Sequence, residues 1–252
     1  FEADANTWQF LGIPYAQPPL GDLRWRAPQP LAPWHDIRDA TAWSDQAAQN
    51  TALERFGEGG MSEDSLYLNV TAPKDADGMP VMVWFHGGGY LAGSVSQVLY
   101  NGAELARSQN VVVVNAAYRL GAMGFADFSA VAPELDADTN LGMRDQLAAL
   151  QWVQENIGAF AGDCGQVTLF GESAGGFSVG ALLACPQAKD LFHSAITQSG
   201  AADFVLAPDQ VRKVTDAFVE ALPGAGSAAE KLASADNKSW IKAQNAAVKV
   251  LV

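Results

Sequence analysis

The segment Gly171-Glu172-Ser173-Ala174-Gly175-Gly176 sets one serine among glycines, directly after the apolar run Val167-Thr168-Leu169-Phe170 and directly before a stretch of helical character. A serine hydroxyl is a weak nucleophile unless a base can take its proton and fixed dipoles can receive the charge its attack creates. A sharp strand-to-helix turn offers such a place. It lifts the hydroxyl above the sheet, and the helix start presents free backbone N–H groups with positive dipole potential. Side chains at Gly171 or Gly175 would collide with the adjoining elements. Ser173 is therefore the candidate nucleophile, and the N–H of Ala174 points where an oxyanion would form. A chance glycine-rich turn is the alternative, and the strand and helix flanks argue against it.

A second segment gives the first its meaning. His86-Gly87-Gly88-Gly89-Tyr90 follows another apolar run, Val81-Met82-Val83-Trp84-Phe85. Acyl transfer needs N–H donors fixed near the developing negative oxygen, each worth about 3 kcal/mol to the transition state. Three glycines in a row let backbone amides approach a substrate with no side chain in the way. A phosphate-cradling loop is the rival, but no Lys-Ser or Lys-Thr follows. An HGGG segment before G-x-S-x-G, each after its own strand, is the pattern of lipases and esterases.

Elements able to position these motifs are visible along the chain. Val111-Val112-Val113-Val114 and Ala195-Ile196-Thr197 join the two runs above as short, continuous apolar segments. Such runs suit strands buried on both faces, as in a parallel sheet. Leu66-Tyr67-Leu68-Asn69-Val70 alternates like a strand. Asn140 is positioned to cap a helix through Asp145, Leu150, Trp152, Val153 and Ile157, and another helix runs from near Ser173 towards Leu182-Leu183. Strand and helix in alternation predict an α/β sheet with crossover helices. The first 35 residues, rich in proline and tryptophan, read as extended chain and turns. After Pro208 the chain becomes alanine-rich and helical, with a break at Pro223-Gly224-Ala225-Gly226.

Composition narrows the partners. The chain has 252 residues and a formal net charge of −13. Such a surface repels phosphate backbones and anionic membranes, so nucleic acid is not an expected partner. No apolar run is long enough to span a membrane. The opening, Phe1-Glu2-Ala3-Asp4, lacks the basic-then-apolar pattern of a signal peptide, and the chain reads as starting inside a domain. Two cysteines, Cys164 and Cys185, make no disulfide framework and fit a reducing compartment slightly better than an oxidising one. Three scattered histidines and two cysteines share no metal-ligand spacing, so no cofactor is implied.

Several further segments, in order, resemble the type-B carboxylesterase and cholinesterase family. They are Gly12-Ile13-Pro14-Tyr15-Ala16 with Pro18-Pro19, the segment from Ser62 to Val70 (SEDSLYLNV), and Asn115 to Phe125 (NAAYRLGAMGF). Asn140 to Trp152 (NLGMRDQLAALQW), Phe160-Ala161-Gly162-Asp163 and Gln198-Ser199-Gly200 complete the set. The resemblance implies the α/β-hydrolase fold, with residues 1–252 forming one incomplete domain whose C-terminal part is missing. It implies an ester hydrolase in which Ser173 forms the acyl intermediate and the N–H groups of Gly88, Gly89 and Ala174 form the oxyanion hole. Glu172 would be an electrostatic neighbour and Ser199 would help orient the triad acid; for both, plain local hydrogen bonding is an equal alternative. Arg24, Asp64 and Arg144 are expected in structural ion pairs, while Trp34, Trp43 and Trp84 are gorge-lining candidates or core anchors.

The chain also departs from the family. Its early disulfide would join the positions of Ala47 and Ser65, and neither is cysteine. The order of a triad in this fold is Ser, then Asp or Glu, then His. Neither partner is expected before residue 252: His86 belongs to the glycine loop, His35 to a loop before the sheet, and His193 to a segment entering a strand. The expectation is a serine esterase whose acid and histidine lie further on, with this chain alone nearly inactive and prone to aggregate at an unpaired sheet edge. A non-catalytic cholinesterase-like binding or adhesion protein is the alternative function. A natural short protein that completes its site through a partner chain is another.

Overall fold

Valine runs that cannot tolerate water on either side set the centre of this molecule. A computed structural model describes residues 2–4, 6–50 and 57–251. Strands β1 (Glu2–Asp4) and β2 (Thr7–Pro14) are followed by a two-stranded pair, β3 (Gln46–Ala47) and β4 (Met61–Ser62). Then come β5 (Tyr67–Pro73), β6 (Met79–Phe85), helix α1 (Ala103–Gln109) and β7 (Val112–Ala116). Helices α2 (Gly121–Phe125) and α3 (Leu141–Asn156) lead to β8 (Gly162–Glu172), α4 (Ala174–Leu183) and β9 (Ser194–Gln198). Helices α5 (Pro208–Ala221), α6 (Ala228–Ser234) and α7 (Asn237–Ala247) follow.

The main sheet has seven strands in the order β1-β2-β5-β7-β6-β8-β9. Pairing is antiparallel from β1 to β7 and parallel from β7 to β9. A mostly buried parallel half with helices between its strands is the α/β architecture expected from the apolar runs. All of β7 is buried. Val81, Val83, Phe85, Val112, Val114, Val167 and Leu169 pack with Leu150, Val153 and Ile157 at the α3 end and with Val179 and Leu182 of α4. Each such side chain contributes about 1.5–3 kcal/mol on leaving water. A second core lies under α5–α7, where Trp25, Phe128, Phe218 and Trp240 meet. The Trp240 Nε1–H is satisfied by the carbonyl of Ala235 at 2.7 Å. No helix among the described residues is long and apolar enough to cross a membrane.

Two expectations need correction, and two are filled in. In the opening read as extended chain and turns, Thr7–Pro14 is a full strand of the sheet, and its proline sits at the strand end, where a missing N–H breaks no ladder. The segment read as an alternating strand is β5, buried on both faces, where Oδ1 of Asn69 accepts the N–H of Gly12 at 2.9 Å. Asn140 does sit at the start of α3, but in a left-handed conformation with no side-chain capping bond. Of the three residues expected in ion pairs, Arg24 alone makes one among the described residues, a two-pronged contact with Glu63 at 2.6 and 2.8 Å. Asp64 accepts the hydroxyl of Tyr67, and Arg144 donates to the carbonyl of Thr139.

Candidate active site

Strand β8 ends at Glu172 and α4 begins at Ala174, so a single residue, Ser173, turns the chain. It does so at φ 54° and ψ −120°, a region that side-chain-bearing residues avoid. The strain is held from both sides. The N–H of Ser173 donates to the carbonyl of Gln198 at the end of β9 (2.8 Å), and its carbonyl accepts the N–H of Phe177 (2.9 Å). Ser173 makes no side-chain cap on α4, so its hydroxyl is not spent on the helix. The first-turn amides of α4 have no intrahelical acceptor.

The glycine loop lies against this bend. A Cβ at Gly87 would stand 3.1 Å from the Cβ of Ser173 and 2.6 Å from Oε2 of Glu172. Glycine is required here by the space, and its absence of a side chain is what lets the loop touch the serine. Gly88 and Gly89 follow with φ 110° and 62° and exposed backbone. Both ends of the loop are tied to one segment just after β7. The hydroxyl of Tyr118 donates to the carbonyl of His86 at 2.8 Å, and the N–H of Gly121 donates to the carbonyl of Tyr90 at 2.6 Å.

None of the three histidines is a base for Ser173. His86 is buried, stacked on Tyr118 with ring centroids 4.6 Å apart, and its Nδ1 faces the carbonyl of Gly87 at 2.7 Å. Burial lowers its pKa to about 4, so the ring is neutral. His193 exchanges hydrogen bonds with the main chain of Val167, six residues up β8 from the bend and so about 20 Å away. His35 lies in an exposed loop.

The remaining candidates separate. Glu172 faces the loop, and after burial its charge is the second cause that pushes the Tyr100 phenol upward. Ser199 is exposed at φ 52°, one residue beyond the carbonyl that receives the Ser173 N–H. Trp84 is buried in the sheet between Tyr100 and Phe170, with no partner for its Nε1. Trp34 instead stands 45% exposed under the Arg38 guanidinium. Sequence reasoning missed Tyr90, Tyr118 and Ser178, which brace the loop. A Tyr-Arg pair following a buried strand was the available signal, but nothing local names its partners.

The Carboxylesterase family model matches residues 2–247 of this sequence. The chain belongs to that family. A para-nitrobenzyl esterase of Bacillus subtilis (strain 168) is 44% identical over 246 residues, covering 96% of this chain and 49% of that protein. A mouse cholinesterase is 46% identical over 222 residues, covering 82% of this chain and 36% of its own length. A solved thermophilic pNB esterase superposes with a TM-score of 0.91 at 40% identity, covering 99% of this chain and 52% of that one. The chain thus spans between about a third and about a half of the length of the relatives it matches. The sheet, with its parallel half and crossover helices, fits the α/β-hydrolase architecture of these structures.

Proposed function

We propose that this chain carries the nucleophile and oxyanion hole of a serine carboxylic-ester hydrolase. Ser173 attacks the ester carbonyl as its hydroxyl proton passes to a base, forming a tetrahedral intermediate. Collapse expels the alcohol, which takes a proton back, and leaves an acyl-Ser173 ester. Water then repeats the sequence and releases the acid. The N–H groups of Gly88, Gly89 and Ala174 receive the oxyanion. Glu172 is an electrostatic neighbour of the bend, and Ser199 orients the acid of the triad. The base and its acid come from outside the described residues, because His86 is committed to Tyr118 and the Gly87 carbonyl and His193 to the main chain of Val167.

One observation supports this reading above the others: the strained bend at Ser173 lies against the Gly87 backbone, with the Cβ position of Gly87 3.1 Å from that of Ser173. A turn selected only for chain reversal has no reason to hold a serine in a forbidden conformation with its hydroxyl uncommitted. The names of the relatives suggest small-molecule esters, para-nitrobenzyl esters among them, as first substrates to try.

The test is hydrolysis of a para-nitrobenzyl ester by the natural full-length protein and by its Ser173→Ala variant. A rate loss of about 10⁴-fold or more is expected. A fluorophosphonate should label the full-length protein at Ser173 and label the 252-residue chain far more slowly, since without a base only the oxyanion hole remains to help. Hydrolysis that survives Ser173→Ala would sink the proposal.

A further inference from the structure

An oxyanion site built from two parts works only if the parts share one frame. Here the parts are the loop bearing Gly88 and Gly89 and the first turn of α4 bearing Ala174. A side-chain bond crosses directly between them. Tyr90 closes the glycine loop, and its hydroxyl stands 3.1 Å from Oγ of Ser178 on α4. Ser178 is fully buried and is fixed in turn by Nε2 of Gln146, a fully buried residue of α3, at 3.0 Å. Tyr90 is held at φ 60°, in the left-handed region, with its ring against Phe125 and its carbonyl on the Gly121 N–H. A tyrosine in that conformation is strained and persists because its surroundings over-determine it. The hydroxyl is its polar link to the helix that carries the serine.

We infer that Tyr90 is a positioning residue: its hydrogen bond to Ser178 fixes the register between the Gly88–Gly89 amides and the Ala174 amide. The inference rests on the reading of Ser173 as nucleophile. The phenol stays neutral in this role, since burial raises its pKa despite the Ser178 hydrogen bond. Removing the hydroxyl leaves the ring packed against Phe125 but frees the loop to drift by tenths of an ångström. Transition-state binding then weakens more than ground-state binding.

The experiment compares Tyr90→Phe, Ser178→Ala and the double variant in the natural full-length protein. Each is assayed with a matched pair of aryl ester and thionoester. Sulfur is larger than oxygen and a weaker acceptor, so the ester-to-thionoester ratio of kcat/KM reports how well the amides converge. It does not depend on how much protein folded. Tyr90→Phe should lower kcat about three- to tenfold, the worth of one net hydrogen bond, with KM within twofold of the parent. The ester-to-thionoester ratio should fall by a similar factor. The double variant should be no worse than Ser178→Ala, because both remove the same bond. An unchanged ratio in Tyr90→Phe overturns the inference, as does additivity in the double variant. Ser173→Ala run alongside separates the two failures: activity surviving that change removes the nucleophile reading itself, and the role of Tyr90 with it.

Discussion

A Cβ built on Gly175 lands on the carbonyl oxygen of Phe85, the last residue of β6. Helix α4 therefore starts in backbone contact with the strand that feeds the glycine loop, and the two parts of the site share this one crossing. Gly175→Ala should destabilise the chain by about 3 kcal/mol, the upper part of the usual range for overpacking. Gly158→Ala, where nothing lies within 4 Å, serves as the control and should shift stability by no more than about 1 kcal/mol. Urea denaturation of both variants decides it; equal costs would mean that this crossing is not close-packed.

His86 gives the fold an acid sensitivity with a defined sign. Its pKa falls from 6.5 to about 4 on folding because burial disfavours the charged ring. The unfolded chain then binds more protons than the native one between these values. Stability is unaffected above pH 6.5 and is lost as pH falls through that window, by about 2 kcal/mol between pH 7 and pH 5. His86→Gln should flatten that part of the profile, which chemical denaturation at several pH values would show. An identical slope in parent and variant would assign the titration elsewhere.

The parts of this architecture readable from the sequence are the local ones. The apolar runs at Val81, Val111 and Val167 become β6, β7 and β8 because a strand buried on both faces leaves a continuous apolar signature. Ser173 is legible for the same reason: strand, glycine, serine and helix are consecutive. What escaped notice depends on pairing across the chain. Tyr90 and Ser178 are 88 residues apart, and Tyr118 and His86 are 32 apart, so neither bond leaves a local trace. Asn69 lies in a segment that reads only as an alternating strand, and nothing local tells that its side-chain oxygen accepts the N–H of Gly12, 57 residues away.

The buried pair Arg119 and Asp145 is another such long-range link. Nε and Nη2 of Arg119 reach the two carboxylate oxygens at 2.8 and 2.7 Å, both side chains almost wholly out of water. Nη1 satisfies the carbonyl of Arg26 at 2.9 Å. Asp145→Asn leaves a guanidinium buried without its counter-charge and should cost about 3–5 kcal/mol. The double variant Arg119→Met with Asp145→Leu should be less damaging than the single one, because it leaves no charge behind. Denaturation midpoints of the three proteins test this; a double variant much less stable than Asp145→Asn would show that the pair contributes net stability rather than merely being costly to break.

Strand β9 closes the sheet on its other side. Among the described residues it pairs only with β8, and Ile196, 45% exposed, stands on it beside open solvent. Its remaining residues, Ser194, Ala195, Thr197 and Gln198, carry no charge. A strand with one free ladder and no charged side chain lacks the charge that commonly guards against edge-to-edge pairing. The 252-residue chain should therefore self-associate as its concentration rises, and Ile196→Lys should suppress this by placing an unpaired charge in any strand–strand contact. Sedimentation velocity over a hundredfold concentration range reads the outcome. A wild-type chain that stays monomeric throughout would show that β9 is not the adhesive edge its pairing suggests; association unchanged in Ile196→Lys would move the contact to another surface, such as exposed Phe204 and Val205.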